Sequence, residues 1–112
     1  MASLSTHVLD LGLGRPAAQL HVRLERAQGD AWSLLAEATT NEDGRVSQFP
    51  LEEALTLGIY RLHFDIEGYL RERDKESFFP FAQLVFRIGA LGQHYHVPLL
   101  LNRFGYSTYR GS

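Results

Sequence analysis

The sequence contains no cysteine, and this absence excludes several kinds of chemistry at once. Disulfides, thiolate nucleophiles and cysteine-ligated zinc sites all require a thiol. Long apolar runs are missing as well, whereas a membrane-spanning helix needs about 20 consecutive apolar residues. The first residues have neither the basic stretch nor the apolar stretch of an export signal, so the cytoplasm is the expected location.

An excess of positive charge is also missing. The 11 basic and 13 acidic side chains give a formal net charge of −2. Such a balance creates no field that attracts nucleic acid or an anionic membrane, so neither is expected as a partner. The length of 112 residues predicts a single domain over 1–112. A domain of this size has no room for a large internal cavity, so an organic substrate is expected at an interface between subunits.

Apolar and polar residues alternate along much of the chain, as is typical of strands with one buried face. Tyr60, Leu62 and Phe64, for example, alternate with Arg61 and His63. This pattern predicts an antiparallel β-sandwich. Its strands are expected at residues 4–10, 19–27, 32–39, 45–48, 59–67, 83–89, 93–101 and 105–110.

Glycine, proline and acidic residues mark where the strands end. Gly29-Asp30 predicts a hairpin, and Thr40–Arg45 predicts a tight turn that leads into a short strand. One helix is expected at Leu51–Leu57, which contains good helix formers and acidic residues in its first turn. Pro50 suits the start of this helix and Gly58 suits its end.

Three predicted strands carry hydrogen-bonding side chains on a face that is otherwise apolar. His94 and His96 share a face with Pro98, and the opposite face of that strand is expected in the core. His7 in the first strand and Tyr109 in the last strand have similar surroundings. A second face that is largely apolar predicts contact with another subunit, and it points to a site there.

The histidines allow more than one interpretation. His21 and His63 lie on the polar faces of their strands, and no catalytic role is expected for either. His94 and His96 are two residues apart on one strand, or about 6.5–7 Å. Two such histidines bind zinc when a third ligand completes the set. No carboxylate is evident on the same strands, so zinc is the less favoured alternative and no metal is predicted.

Four parts of the chain together resemble one known family. They are Ser5-Thr6-His7-Val8-Leu9-Asp10 with Gly14-Arg15-Pro16-Ala17, Thr40-Asn41-Glu42-Asp43-Gly44-Arg45, Gln93-His94-Tyr95-His96-Val97-Pro98-Leu99-Leu100-Leu101, and Tyr109-Arg110-Gly111-Ser112. Their order and content are similar to the transthyretin-like 5-hydroxyisourate hydrolases. Asn102-Arg103-Phe104 departs from the Ser-Pro-Tyr that is common in the family, which we expect to alter a loop and leave the chemistry unchanged.

The resemblance implies a fold and an assembly. The fold is an all-β, transthyretin-type (prealbumin-like) β-sandwich of two four-stranded sheets with one short helix. The assembly is a homotetramer, a dimer of dimers, with the site at the interface between subunits. The resemblance implies no cofactor and no metal.

The resemblance also implies a reaction and its residues. The reaction is the hydrolysis of 5-hydroxyisourate, in which a cyclic amide opens to 2-oxo-4-hydroxy-4-carboxy-5-ureidoimidazoline during urate breakdown. His7, Arg45, His96 and Ser112 are the implied catalytic residues, and His7, Arg45 and Tyr109 are the implied substrate-binding residues. One histidine of the pair acts as general base, without an assignment of which.

The sequence leaves three points open. Ser112 acts through its hydroxyl or through a terminal carboxylate that orients a histidine or Arg45. His94 shares the face of His96 and is left outside the catalytic set. The alternative function is a transthyretin-like protein that binds a small hormone-type ligand, although a hormone carrier lacks the histidine pair.

Overall fold

The computed structural model describes residues 2–112, and Met1, the first residue of the predicted domain, lies outside the described residues. The described residues form nine strands and one helix. In chain order they are β1 (Ser3–Asp10), β2 (Arg15–Pro16), β3 (His21–Gln28), β4 (Ala31–Thr39), β5 (Arg45–Val46), β6 (Gly58–Phe64), α1 (Ile66–Arg71), β7 (Ala82–Ile88), β8 (His94–Leu101) and β9 (Tyr106–Thr108). Eight of these strands lie close to the predicted ones, and the hairpin at Gly29-Asp30 is confirmed as the β3–β4 connection.

Two sheets pack against each other. One sheet has four strands in the order β4-β3-β6-β7. The other has the order β2-β1-β8-β9, and β5 also pairs with β1, so this sheet contains five strands. The predicted β-sandwich is therefore confirmed. The fifth strand arises because β2 and β5, each only two residues long, both attach to β1.

One expectation about strand direction is wrong. The alternation predicts an antiparallel sandwich, but β1 and β8 run parallel. Parallel neighbours cannot be joined by a tight turn and need a long connection. Here most of the chain lies between the two strands. The parallel register places Ser5 opposite His96 and His7 opposite Pro98, and this pairing determines the geometry described below.

The core lies between the sheets and is filled by the apolar residues of the alternating strands. Burying a large apolar side chain contributes about 1.5–3 kcal/mol relative to leaving it exposed. The largest apolar side chains with less than 2% exposure are Tyr60, Phe64, Leu20, Leu24, Leu62, Ile66, Ile88, Leu99, Leu101, Val8 and Val22. The predicted core face of β8 is confirmed, since its odd-numbered residues are buried whereas His94 is exposed and His96 is half-buried.

The predicted helix is in the wrong place. Residues 51–57 contain no helical residue; Leu55 is buried and forms an isolated bridge with Ala2. The backbone of Thr56 bonds to the hydroxyl of Tyr60, which holds the segment in an irregular conformation against the core. Among residues 2–112, no helix has the length and apolar character needed to cross a membrane.

The helix that does form, α1, follows β6 directly. Asp65 caps its start by accepting a hydrogen bond from the backbone N–H of Gly68 at 3.0 Å. Ile66, Tyr69 and Leu70 have the spacing of one helical face and are buried. Ile66 also continues the alternation of β6, and that strand pattern concealed the start of the helix.

Candidate active site

Three strands and the end of the chain meet on one face of the five-stranded sheet. We call this the outer face, because it points away from the core and carries Ser5, His7 and His96. β1 pairs with β5 so that His7 lies opposite Arg45. It also pairs with β8 so that Ser5 lies opposite His96. His96 in turn forms a bridge with Gly111.

A cavity of about 300 Å³ opens on this face. All seven of its lining side chains carry a polar or ionisable group. They are Ser5, Thr6, Arg45, Ser47, His94, His96 and Ser112. His7 stands beside this cavity, as the neighbour of Arg45 across the strand pair.

The predicted turn before β5 fixes the position of Arg45. The side-chain oxygen of Asn41 accepts hydrogen bonds from the backbone N–H of Asp43 at 2.9 Å and of Arg45 at 3.0 Å. Gly44 has φ +73° and lies against the backbone of Val8, where a Cβ would overlap the Val8 carbonyl oxygen. Glycine at 44 therefore lets the turn approach β1 closely enough for Arg45 to pair with His7.

The end of the chain fixes the position of His96 from the other side. The backbone N–H of Gly111 donates a hydrogen bond of 2.8 Å to the carbonyl oxygen of His96. The imidazole lies directly over Gly111, since a Cβ at that residue would lie 2.5 Å from Cδ2 of His96. Only glycine leaves room for the ring in this position, and Ser112 then lies beside the ring in the cavity lining.

One residue outside the predicted catalytic set, Ser5, holds the imidazole of His96. The hydroxyl of Ser5, which is 8% exposed, lies 2.7 Å from Nδ1 of His96 and 2.8 Å from Nε2 of His94. The hydroxyl of Ser3 lies 2.6 Å from Nδ1 of His94. The shared face of His94 and His96 was evident in the sequence, but the contact with Ser5 depends on the register between β1 and β8.

The surroundings of His96 favour its neutral form. Burial lowers the pKa of His96 below its usual 6.5, and positive charge on Arg45, His7 and His94 lowers it further. A backbone hydrogen bond to Ser5 acts in the opposite direction and does not outweigh these effects. His96 is therefore neutral at pH 7 and is able to accept a proton.

The sequence model of the HIUase/Transthyretin family matches residues 4–111. This chain belongs to the HIUase/Transthyretin family. Among its relatives, 5-hydroxyisourate hydrolase 2 of Rhizobium meliloti is 46% identical over 114 residues, which cover 97% of this chain and 95% of the relative.

Solved structures of the HIUase/Transthyretin family have the same fold. The structure of Klebsiella pneumoniae 5-hydroxyisourate hydrolase is 39% identical with a TM-score of 0.86, over 98% of this chain and 99% of that one. Sea bream transthyretin in complex with thyroxine is 28% identical with a TM-score of 0.90, over 97% and 94% respectively. The transthyretin-type sandwich implied by the sequence motifs is thus confirmed.

The structure brings together four of the residues that the HIUase/Transthyretin motifs single out. Arg45, His96 and Ser112 line the cavity, and His7 adjoins it. Tyr109 does not line this cavity. It is 58% exposed and borders a separate space of about 460 Å³ between β7 and the end of the chain. The roles of all five residues stay predictions.

Three of the four ring nitrogens of His94 and His96 lie at hydrogen-bond distance from serine hydroxyls. Both nitrogens of His94 and the Nδ1 of His96 contact the hydroxyls of Ser3 and Ser5. Within residues 2–112, no group of three or more histidine, cysteine, aspartate or glutamate side chains is arranged to hold a metal ion. A neutral imidazole and a permanent cation line the same cavity, and this arrangement suits acid–base chemistry.

Proposed function

We propose that this protein is a hydrolase that converts 5-hydroxyisourate to 2-oxo-4-hydroxy-4-carboxy-5-ureidoimidazoline, a step of urate breakdown. The observation that carries the proposal is that His96, whose pKa is lowered so that its imidazole is neutral, and Arg45 line the same cavity. Its relatives named 5-hydroxyisourate hydrolase, at 46% and 39% identity over nearly the whole chain, support the same substrate.

The reaction needs a base for water, and His96 is the better candidate of the two histidines. Its Nδ1 is held by Ser5, which leaves Nε2 for the reaction. The water oxygen attacks a ring carbonyl while its proton passes to Nε2. The ring C–N bond then breaks, the nitrogen takes up a proton, and the carbonyl carbon becomes a carboxylate. A general base contributes roughly 10²- to 10⁴-fold to the rate, so His96→Ala is expected to lower kcat by about that factor.

Arg45 and His7 act on the substrate and not on the attacking water. The guanidinium carries a fixed positive charge and several N–H donors, which suit the oxyanion that forms as water adds to the carbonyl. His7 lies next to Arg45 across the β1–β5 pair, where it orients the ring or protonates the departing nitrogen. Ser112 contributes a hydrogen-bonding group at the cavity wall, and Tyr109 forms a further wall in the assembly.

We also propose that the protein is a homotetramer, a dimer of dimers, with its site at the subunit interface. β7 and β9 are outer strands of their sheets and lie on the same side of the sandwich, where they border the 460 Å³ space. Outer strands present backbone groups that pair readily with another chain. Leu11 and Phe104, at 54% and 69% exposure, add apolar surface that a second copy would cover. Sedimentation of the purified protein tests the assembly.

A cytoplasmic location, taken from the sequence, is likewise a proposal that cell fractionation tests.

A small-ligand carrier is the second candidate, because sea bream transthyretin was solved in complex with thyroxine and has the same fold. The identity of 28% to that protein is lower than the 46% and 39% to the hydrolases. The deciding experiment generates 5-hydroxyisourate in the cuvette and follows its ultraviolet absorbance with and without protein. Acceleration over the spontaneous decay supports the hydrolase. A decay rate that the protein leaves unchanged, together with saturable binding of thyroxine, would favour the carrier.

A further inference from the structure

A continuous series of hydrogen bonds leads away from His96. Nδ1 of His96 lies 2.7 Å from the hydroxyl of Ser5, and that hydroxyl lies 2.8 Å from Nε2 of His94. Nδ1 of His94 then lies 2.6 Å from the hydroxyl of Ser3. The parallel register produces this series, because it pairs Ser3 with His94 and Ser5 with His96.

The chemistry of these groups permits two directions of donation. A hydroxyl has one proton to donate, and a neutral imidazole donates from one nitrogen and accepts at the other. In the first direction, His96 Nδ1 donates to Ser5, Ser5 donates to His94 Nε2, and His94 Nδ1 donates to Ser3. His96 Nε2 is then free to accept a proton. In the reverse direction, every bond is turned around and Nε2 of His96 carries a proton that it can donate.

We propose that Ser5, His94 and Ser3 are a proton relay that switches His96 from base to acid, an inference that rests on the proposed hydrolysis. As Nε2 of His96 takes the proton of the attacking water, its Nδ1 proton passes to the Ser5 oxygen. The proton of Ser5 passes to His94 Nε2, the Nδ1 proton of His94 passes to Ser3, and the proton of Ser3 passes to solvent. Each group gains one proton and loses one, so His96 stays neutral and now donates from Nε2.

The electrostatic surroundings give a reason for such a relay. An imidazolium at His96 would face Arg45 on β5, His7 on β1 and His94 on its own strand, and burial already disfavours its charge. Without a relay, His96 becomes positively charged when it takes up the proton of water, and it carries this charge in the midst of these groups. With the relay, the positive charge leaves the site, and Nε2 is ready to protonate the departing nitrogen. As Nε2 gives up that proton, the same series runs in reverse and returns a proton from solvent to Nδ1, so His96 stays neutral.

The last group of the relay, Ser3, lies at an open cleft. His94 lines the 300 Å³ cavity and also a larger cleft of about 800 Å³ on its other side. Ser3 lines that larger cleft, together with the carboxylates of Glu52 and Glu53. Ser3 therefore releases its proton to an open, acidic cleft, and it takes a proton back from the same cleft when the series runs in reverse.

His94→Gln is the deciding variant. The amide of glutamine replaces Nε2 as a partner of Ser5, but it cannot take up a proton on one side and release another. First, the unmodified protein has to accelerate the decay of 5-hydroxyisourate; if it does not, the proposed function fails before the relay is tested. We then expect His94→Gln to lower kcat by about 10- to 100-fold, part of the general-base contribution, with KM within about 2-fold. An unchanged kcat in His94→Gln would overturn the relay.

Two further measurements distinguish proton transfer from simple positioning. In mixtures of H₂O and D₂O, a plot of kcat against the fraction of D₂O is expected to curve for the unmodified protein, because several protons move together. For His94→Gln the same plot is expected to be linear. A linear dependence in the unmodified protein overturns the relay. Ser5→Ala breaks the same series, so His94→Gln with Ser5→Ala is expected to be no slower than Ser5→Ala alone. If the two losses multiply, the residues do not act as one relay.

The control variant is His21→Gln. His21 lies on β3 of the other sheet and pairs with Glu37 at the surface, so this substitution is expected to leave kcat unchanged. Because His94 is exposed, its replacement is expected to preserve the cooperative unfolding transition. The kcat of His94→Gln therefore tests the relay whether or not Ser5→Ala folds.

Discussion

Gly111→Ala provides a sharp test of how the end of the chain supports the site. The added Cβ would lie 2.5 Å from Cδ2 and 3.3 Å from Cγ of His96. Carbon atoms in favourable contact are about 3.5–4.0 Å apart, so the ring or the backbone at 111 has to move by roughly 1 Å. The same movement disturbs the bond between His96 Nδ1 and Ser5, which is 2.7 Å long.

A displacement of this size has a predictable effect on the rate. Misplacing a reacting group by about 1 Å costs about 10²-fold. We therefore expect Gly111→Ala to lower kcat for 5-hydroxyisourate by about 100-fold, measured by the ultraviolet decay assay, with a smaller change in KM. The substitution lies at the surface end of the chain, so the midpoint of thermal unfolding is expected to shift by only a few degrees.

Gly105→Ala is the matched control for this prediction. Gly105 also lies near the end of the chain, and a Cβ there meets no atom within 4 Å. Its kcat is expected to stay within about 2-fold of the unmodified protein, as for most surface substitutions. If Gly111→Ala folds cooperatively and keeps the kcat of Gly105→Ala, the contact between residue 111 and His96 does not position the base.

Three further predictions concern titratable groups. Because the pKa of His96 is lowered from 6.5, its neutral form persists below that pH, and the acid limb of kcat/KM is expected to have its midpoint below 6.5. Arg45→Gln removes one cause of this shift, so the midpoint should move to higher pH; a midpoint that moves down or stays fixed contradicts the assignment of His96. In the core, the hydroxyl of Tyr69 donates to the buried carboxylate of Asp10 at 2.8 Å, and burial raises the pKa of Tyr69 to about 12. Tyr69→Phe leaves this carboxylate without that donor and is expected to lower the free energy of unfolding by about 1–3 kcal/mol in urea titrations. An unchanged free energy of unfolding would mean that another donor replaces the hydroxyl.

Local pattern was sufficient to locate most strands. Alternation along β6 and β8 depends only on which side chains face the core, and neighbouring residues in the chain carry that information. The tight turn before Arg45 was equally predictable, because Asn41 and Gly44 supply the side-chain acceptor and the positive φ that such a turn needs.

Local pattern failed where one residue fitted two periodicities. Ile66 continues the alternation of β6, and it also begins the buried face of α1 with Tyr69 and Leu70. Residues 51–57 have good helix propensity, but Leu55 is buried against Ala2 in an irregular segment. The intrinsic helix preferences of ordinary residues differ by less than about 1 kcal/mol per residue. Burying one leucine side chain contributes about 1.5–3 kcal/mol, which is more than the preference of any single residue in the segment.

The sequence by itself determined the alternating strands, the turn that presents Arg45 and the motifs that relate this chain to its family. It also marked His7 and His96 as unusual polar residues on apolar faces. Only the tertiary structure decided which side chains touch, because β1 and β8 lie far apart in the chain and pair in a parallel register that local periodicity does not encode. That register places Ser5 between His94 and His96, and the bridge to Gly111 places the imidazole on the end of the chain.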